Sequence, residues 1–169
     1  GITEAYSISR GMTAYTVGEH AELLLMIALN SFVYASLMYL VASFVKTEGA
    51  WSGIGTVVGT LVGFLGGIYI PIGNLSEGVG AILKSTPILY ASAMFRKVMT
   101  FRMMEETFAG MPDEVKESFA ENVGIELFIG EHQMSMSEEW CILILCGIIF
   151  FVLSCLIEKV RAAVYENNH

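Results

Sequence analysis

LLLMIALNSFVYASLMYLVASFV, Leu23 to Val45, carries no charged side chain. Gly49 to Ser76 and Trp140 to Ile157 share that property. At 23, 28 and 18 residues, these stretches reach or exceed what an α-helix needs to cross a hydrocarbon core of roughly 30 Å. A soluble chain of 169 residues has no room to bury three such helices on every side. The sequence therefore reads as an all-α, polytopic membrane protein. Its expected parts are three transmembrane helices, a re-entrant helical hairpin and an amphipathic extracellular helix.

Composition points the same way. Hydrophobic residues make up 54% of the chain and charged residues 15%, where soluble domains average about 25% charged. Between Phe101 and Trp140 stand ten acids and two bases, Arg102 and Lys116, so this segment carries the whole formal net charge of −8. A block this acidic argues against nucleic acid as a partner and against docking on anionic lipid heads. It reads either as a solvated loop domain or as an attractor of cations to a pathway mouth. The Gly1 start has no basic n-region and no cleavage site, so no signal peptide is expected. A beginning without Met suggests a piece of a longer protein.

The expected organisation is a connector over 1–20, membrane helices and hairpin over 21–100, an acidic extramembrane segment over 101–139, and a last span with its tail over 140–169. The first membrane helix runs from about Ala21 to Val45. Asn30 and Tyr34 lie four apart on one of its faces, and Tyr39 and Ser43 form a second such pair. A polar face on a spanning helix meets protein or water rather than lipid. Interhelical hydrogen bonding and substrate contact both remain open for Asn30 and Tyr34.

The second helix, from about Trp51 to Ile70, has Gly55, Gly59, Gly63 and Gly67 at strict four-residue spacing. The flat face they make lets another helix backbone approach closely, in this chain or in a second copy. Pro71 ends the helix because it has no N–H to donate. Beyond it, the apolar pieces Val79–Leu83 and Ile88–Phe95 are each too short to span. They are separated by Lys84-Ser85-Thr86-Pro87 and closed by Arg96-Lys97. Two half-length helices broken at a proline read as a hairpin that dips into the membrane and returns; one kinked span over 78–98 is the alternative. Non-helical backbone at that depth must pack on protein or face water.

In the acidic segment, Pro112-Asp113-Glu114 looks like a helix start, with acids where the dipole favours them. Val115, Phe119, Val123 and Leu127 continue at four-residue spacing, so an amphipathic helix is expected from about Asp113 to Phe128. Trp140 opens the last span at an interfacial position. Cys141, Cys146 and Cys155 all lie in that span and read as structural thiols, with no metal site.

From Gly53 to Arg96 the order of motifs becomes specific. A glycine-rich span ends in Phe64-Leu65-Gly66-Gly67-Ile68-Tyr69-Ile70-Pro71, then Thr86-Pro87-Ile88-Leu89-Tyr90-Ala91 follows, and then Arg96. This resembles the C-terminal half of type-2 ATP-binding-cassette (ABC) transporter permeases, in which such a signature ends the fifth of six spans and a re-entrant hairpin precedes the sixth. The resemblance covers about residues 21–100 and, by position, 140–160. Leu75-Ser76 departs from the Leu-Pro of many members, and the acidic segment is longer than a minimal member needs.

That resemblance implies an exporter's permease subunit in a bacterial plasma membrane. Its partners would be an ABC ATPase subunit, a second permease copy or paralogue, and the lipid bilayer. No cofactor is expected in this chain; ATP and Mg would sit on the partner, since no phosphate loop is present. Pro87, Tyr90 and Arg96, with Gly67 and Pro71, are the candidate outer-gate positions, and Arg96 is expected to pair with an acid such as Glu77 or with lipid phosphate. The loop over Lys46–Ser52 is a weak candidate for ATPase contact. The positive-inside rule gives no independent orientation, because Lys84, Arg96, Lys97 and Arg102 would lie outside. A passive channel or structural subunit is the main alternative. An enzyme is disfavoured: His20, His132 and His169 are far apart, and the carboxylates, Glu77 aside, read as surface-placed.

Overall fold

The computed structural model describes residues 2–9, 11, 15–65 and 77–167. Gly67 and Pro71, and with them the expected end of the second span, lie outside the described residues. The architecture is almost entirely helical: α1 (Ile2–Ser9), α2 (Val17–Ala42), α3 (Glu48–Leu65), α4 (Glu77–Lys84), α5 (Pro87–Thr107), α6 (Asp113–Val123) and α7 (Met136–Asn167). A two-stranded antiparallel pair, β1 (Phe128–Ile129) with β2 (His132–Gln133), turns at Gly130.

Among the described residues two helices are long and apolar enough to cross a bilayer, α2 and the Met136–Val164 part of α7. Three were expected. The described part of α3 stops at Leu65, and its glycines lower its apolar character.

Each boundary has a local cause. α2 starts four residues before the expected Ala21 because Thr16 and Glu19 form a capping box, which satisfies two orphan helix donors. α3 is capped by Thr47, whose hydroxyl accepts from the Ala50 N–H at 3.2 Å. Pro87 occupies the first turn of α5 behind Thr86, where its missing N–H costs nothing. The expected amphipathic helix to Phe128 ends instead at Val123. Gly124 adopts φ 72° there, the left-handed cap that glycine alone takes without strain. Leu127, though at helical spacing, is buried from the loop that follows.

α2 and α7 form the spine and run parallel. Phe32 stacks on Phe151 at 6.0 Å, Val33 meets Gly147, and Arg161 donates to the Ser43 carbonyl. At Gly147 the helices nearly touch: a Cβ there would lie 2.9 Å from Phe32 and 3.1 Å from Val33. The α4–α5 hairpin packs into this spine. Met26 and Val33 of α2, Leu83 of α4, Leu89 and Met94 of α5, and Leu143 of α7 share one core. α5 runs antiparallel to both spine helices, because Lys97 reaches Glu139 and Arg102 reaches Glu19, each near the start of its helix.

Candidate functional site

The hairpin connecting α4 to α5 is two residues long, and its polar groups are satisfied within it. The Ser85 N–H donates to the Ile82 carbonyl at 3.1 Å and the Thr86 N–H to the Leu83 carbonyl at 2.9 Å. The Ser85 hydroxyl donates to Ala81 O at 3.0 Å and the Thr86 hydroxyl to Leu83 O at 2.8 Å. The Tyr90 hydroxyl, one turn into α5, reaches back to Lys84 O at 2.6 Å. A turn with its backbone closed in this way can sit away from bulk water without leaving donors or acceptors bare. Pro87 and Tyr90 are both buried, holding this turn against the spine. Lys84 and Ser85 are exposed at the tip.

Asn30 and Tyr34 face the same core from α2. Asn30 is buried and its Nδ2 donates to Met26 O at 2.8 Å in its own helix. Its Oδ1 has no hydrogen-bond partner among the described residues. Tyr34 packs half-buried against the core beside it. The structure therefore brings Tyr34 and Tyr90 to one core, with Asn30 buried on α2 and Pro87 buried at the start of α5.

Arg96 lies farther along α5. Its Nη1 donates to Gly124 O at 3.4 Å, tying α5 to the cap of α6; the Glu77 side chain lies outside the described residues. Gly55 and Gly59 stand on the exposed face of α3, with nothing within 4 Å of a Cβ built at either. Within the described chain, the glycine face has no close helix against it; Gly63 is half-buried.

The most consequential group was read wrongly from the sequence. Glu139 is not surface-placed: its side chain is fully buried. Lys97 Nζ donates to Glu139 Oε1 at 2.9 Å and to Met134 O at 3.1 Å, with Glu126 at 3.5 Å. Glu139 Oε2 has no partner among the described residues. Arg102 is likewise engaged, bonded to Glu19 at 2.6 Å and lying over the Tyr15 ring at 5.2 Å. The Tyr15 hydroxyl donates to Met99 O at 3.1 Å, and burial raises its pKa against the opposing pull of Arg102. α5 was expected to close at Arg96-Lys97 but continues to Thr107, because each base on its way finds a partner on another element.

Among the described residues, cavities lie on two sides of this assembly. One of about 420 Å³ lies between α5 and α6; the other, of about 290 Å³, lies at the α2–α3 turn around Lys46 and Trp51. Among the described residues no three His, Cys, Asp or Glu side chains gather into a possible metal site.

Compared with known proteins, the chain matches the family model of the ABC-2 family transporter proteins over residues 4–156. No curated protein and no solved structure matches it.

Proposed function

This chain belongs to the ABC-2 family of transporter proteins, and from that premise we propose that it is a permease subunit of an ATP-driven exporter, with the α4–α5 hairpin as the outer gate. The observation that carries the reading is the depth and closure of the hairpin. Lys97 pairs with Glu139 at the start of α7, and the hairpin turn lies ten residues back along a continuous helix. At 1.5 Å per residue the turn sits about 15 Å below that level, roughly half of a 30 Å hydrocarbon core. A re-entrant segment ends at about that depth.

The parallel spine supports three crossings. Helices α2 and α7 start at one face and end at the other, so the chain between them returns once across the full thickness. α3 and the residues after it are the available return. Exposed Lys84 at the hairpin tip then requires water beside it, since a charge at mid-membrane depth faces a wet cavity or a partner. Asn30, Tyr34, Pro87 and Tyr90 pack on the protein side of that region, and the buried Asn30 Oδ1, without a partner among the described residues, becomes an acceptor only if the packing there opens. With the hairpin outside, the α2–α3 turn at Lys46–Ser52 and the end of α7 face the cytoplasm and the ATPase subunit. The open glycine face of α3, Gly55 and Gly59, is left for a helix of a second permease copy.

The test is transport in sealed vesicles with the complete permease and its ATPase subunit. Flux that requires hydrolysable nucleotide and disappears on omitting the ATPase supports the reading. Flux through the permease alone identifies a passive channel instead. Arg96→Ala is expected to reduce export while membrane insertion stays normal; unchanged export removes Arg96 from the gate.

A further inference from the structure

The cavity between α5 and α6 shares Arg96 with the gate just described, and the rest of its lining is separate from it. Beyond Lys97, α5 leaves the main core and presents Thr100, Met103, Met104 and Thr107 along one face. α6 lies across that face with Phe119 and Val123, and Ile125 closes the end behind the Gly124 cap. Phe108 and Phe119 stack at 5.3 Å between centroids. The two helices do not fill the space between them and leave about 420 Å³. The groove is open to solvent on one side, where Phe119 is exposed, and its walls are mostly apolar. The volume falls within the range of small-molecule sites, roughly 300–1,000 Å³. Flexible methionines on one wall and a phenyl ring on the other suit an unbranched alkyl chain.

Among the described residues one charged side chain lines this pocket, and it is cationic: Arg96, half-buried at the inner end. Among the described residues no carboxylate lines it, although the surrounding segment carries the chain's whole net negative charge. The acids of α6, Glu114, Glu117 and Glu121, point to solvent. This arrangement separates ligands by chemistry. A small inorganic anion meets the acidic exterior and gains nothing from apolar walls. An alkyl cation meets Arg96. A chain with an anionic head gains from both the walls and the guanidinium, which donates to Gly124 O through Nη1 and attracts a carboxylate by its charge.

We propose that the α5–α6 pocket binds a long-chain alkyl carboxylate, its chain between Met103, Met104 and Phe119 and its head on Arg96. Binding here needs no ATPase and is read without transport, so its failure and that of the transport reading are distinguishable although Arg96 enters both.

The full chain in lipid nanodiscs is incubated with a dodecanoate carrying a diazirine at the chain end, and the cross-linked residues are mapped by mass spectrometry. Affinity is measured in parallel with dodecanoate, dodecanol and dodecylammonium as competitors. Labelling at Met103, Met104 or Phe119 is expected, with dodecanoate competing best. Arg96→Gln is expected to weaken dodecanoate about tenfold, as loss of a charge-assisted hydrogen bond does, while leaving dodecanol unchanged. Val123→Trp, which fills the pocket from α6 without touching Arg96, should abolish labelling. The proposal is overturned by labelling elsewhere, by no labelling above that of protein-free nanodiscs, or by equal competition from dodecanol or dodecylammonium. Circular dichroism of each variant checks helicity; if Arg96→Gln loses it, the competitor ranking and Val123→Trp decide, and if Val123→Trp loses it, the ranking on the unaltered chain decides.

Discussion

The ammonium of Lys97 meets the carboxylate of Glu139 at 2.9 Å, with the Glu139 side chain fully buried. This pair joins α5 to the first turn of α7. Removing one partner leaves an uncompensated buried charge, which costs about 3–5 kcal/mol, whereas replacing both with apolar groups is often near neutral.

Lys97→Met is therefore expected to destabilise the detergent-solubilised protein by about 3–5 kcal/mol, and Lys97→Met with Glu139→Leu to regain most of that. Thermal unfolding followed by Trp140 fluorescence reads both. If the double variant is as unstable as the single one, the pair is not what holds α5 to α7.

Gly147 and Gly59 give opposite expectations for the same substitution. Gly147→Ala drives a methyl into Phe32 and Val33, an overpacking that costs about 1–3 kcal/mol. Gly59→Ala meets open space, so the isolated chain should keep or slightly gain stability, as alanine favours helix by up to about 1 kcal/mol over glycine. Melting of the two variants in detergent separates them. Where a second copy covers the α3 face, Gly59→Ala lowers the dimer fraction in cross-linking without lowering monomer stability. A dimer fraction equal to that of the unaltered chain would leave that face without a role in assembly.

Tyr90→Phe deletes one hydroxyl, which donates to Lys84 O across the hairpin. The expected loss of stability is about 0.5–1.5 kcal/mol, and the expected effect on export is larger than that stability loss explains. Normal membrane insertion combined with a reduced export rate assigns Tyr90 to the gate. Reduced insertion in proportion to reduced export would make it a folding residue only.

Much of this structure is legible in local sequence, and what is not has a common physical cause. The two long apolar helices announce themselves through absence of charge, and the α4–α5 break through Lys84-Ser85-Thr86-Pro87. The length of α5 does not. Arg96 and Lys97 look like a stop when read in order, because their partners at Gly124 and Glu139 are distant in sequence. Glu139 was hidden in the same way, as one acid among ten until α5 folds over it. Gly55 and Gly59 of α3 are conspicuous by spacing yet open in space, while the lone Gly147 between Cys146 and Ile148 sits tightly against Phe32 and Val33. The apolar spacing of Val123 and Leu127 ran past Gly124, whose left-handed φ ends α6. The β1–β2 pair is too short to leave an alternating pattern.

The measurement that bears most directly on the crossing pattern is sided labelling of single cysteines. In intact vesicles lacking the native Cys141, Cys146 and Cys155, cysteines replace Thr47, Glu131 and Arg161 one at a time and are probed with a membrane-impermeant maleimide. Parallel α2 and α7 joined by one return crossing predict that the cysteines at 47 and 161 react on the same side and the one at 131 on the opposite side. If all three react from one side, the helices do not cross as a parallel pair, and the hairpin is not an outer gate.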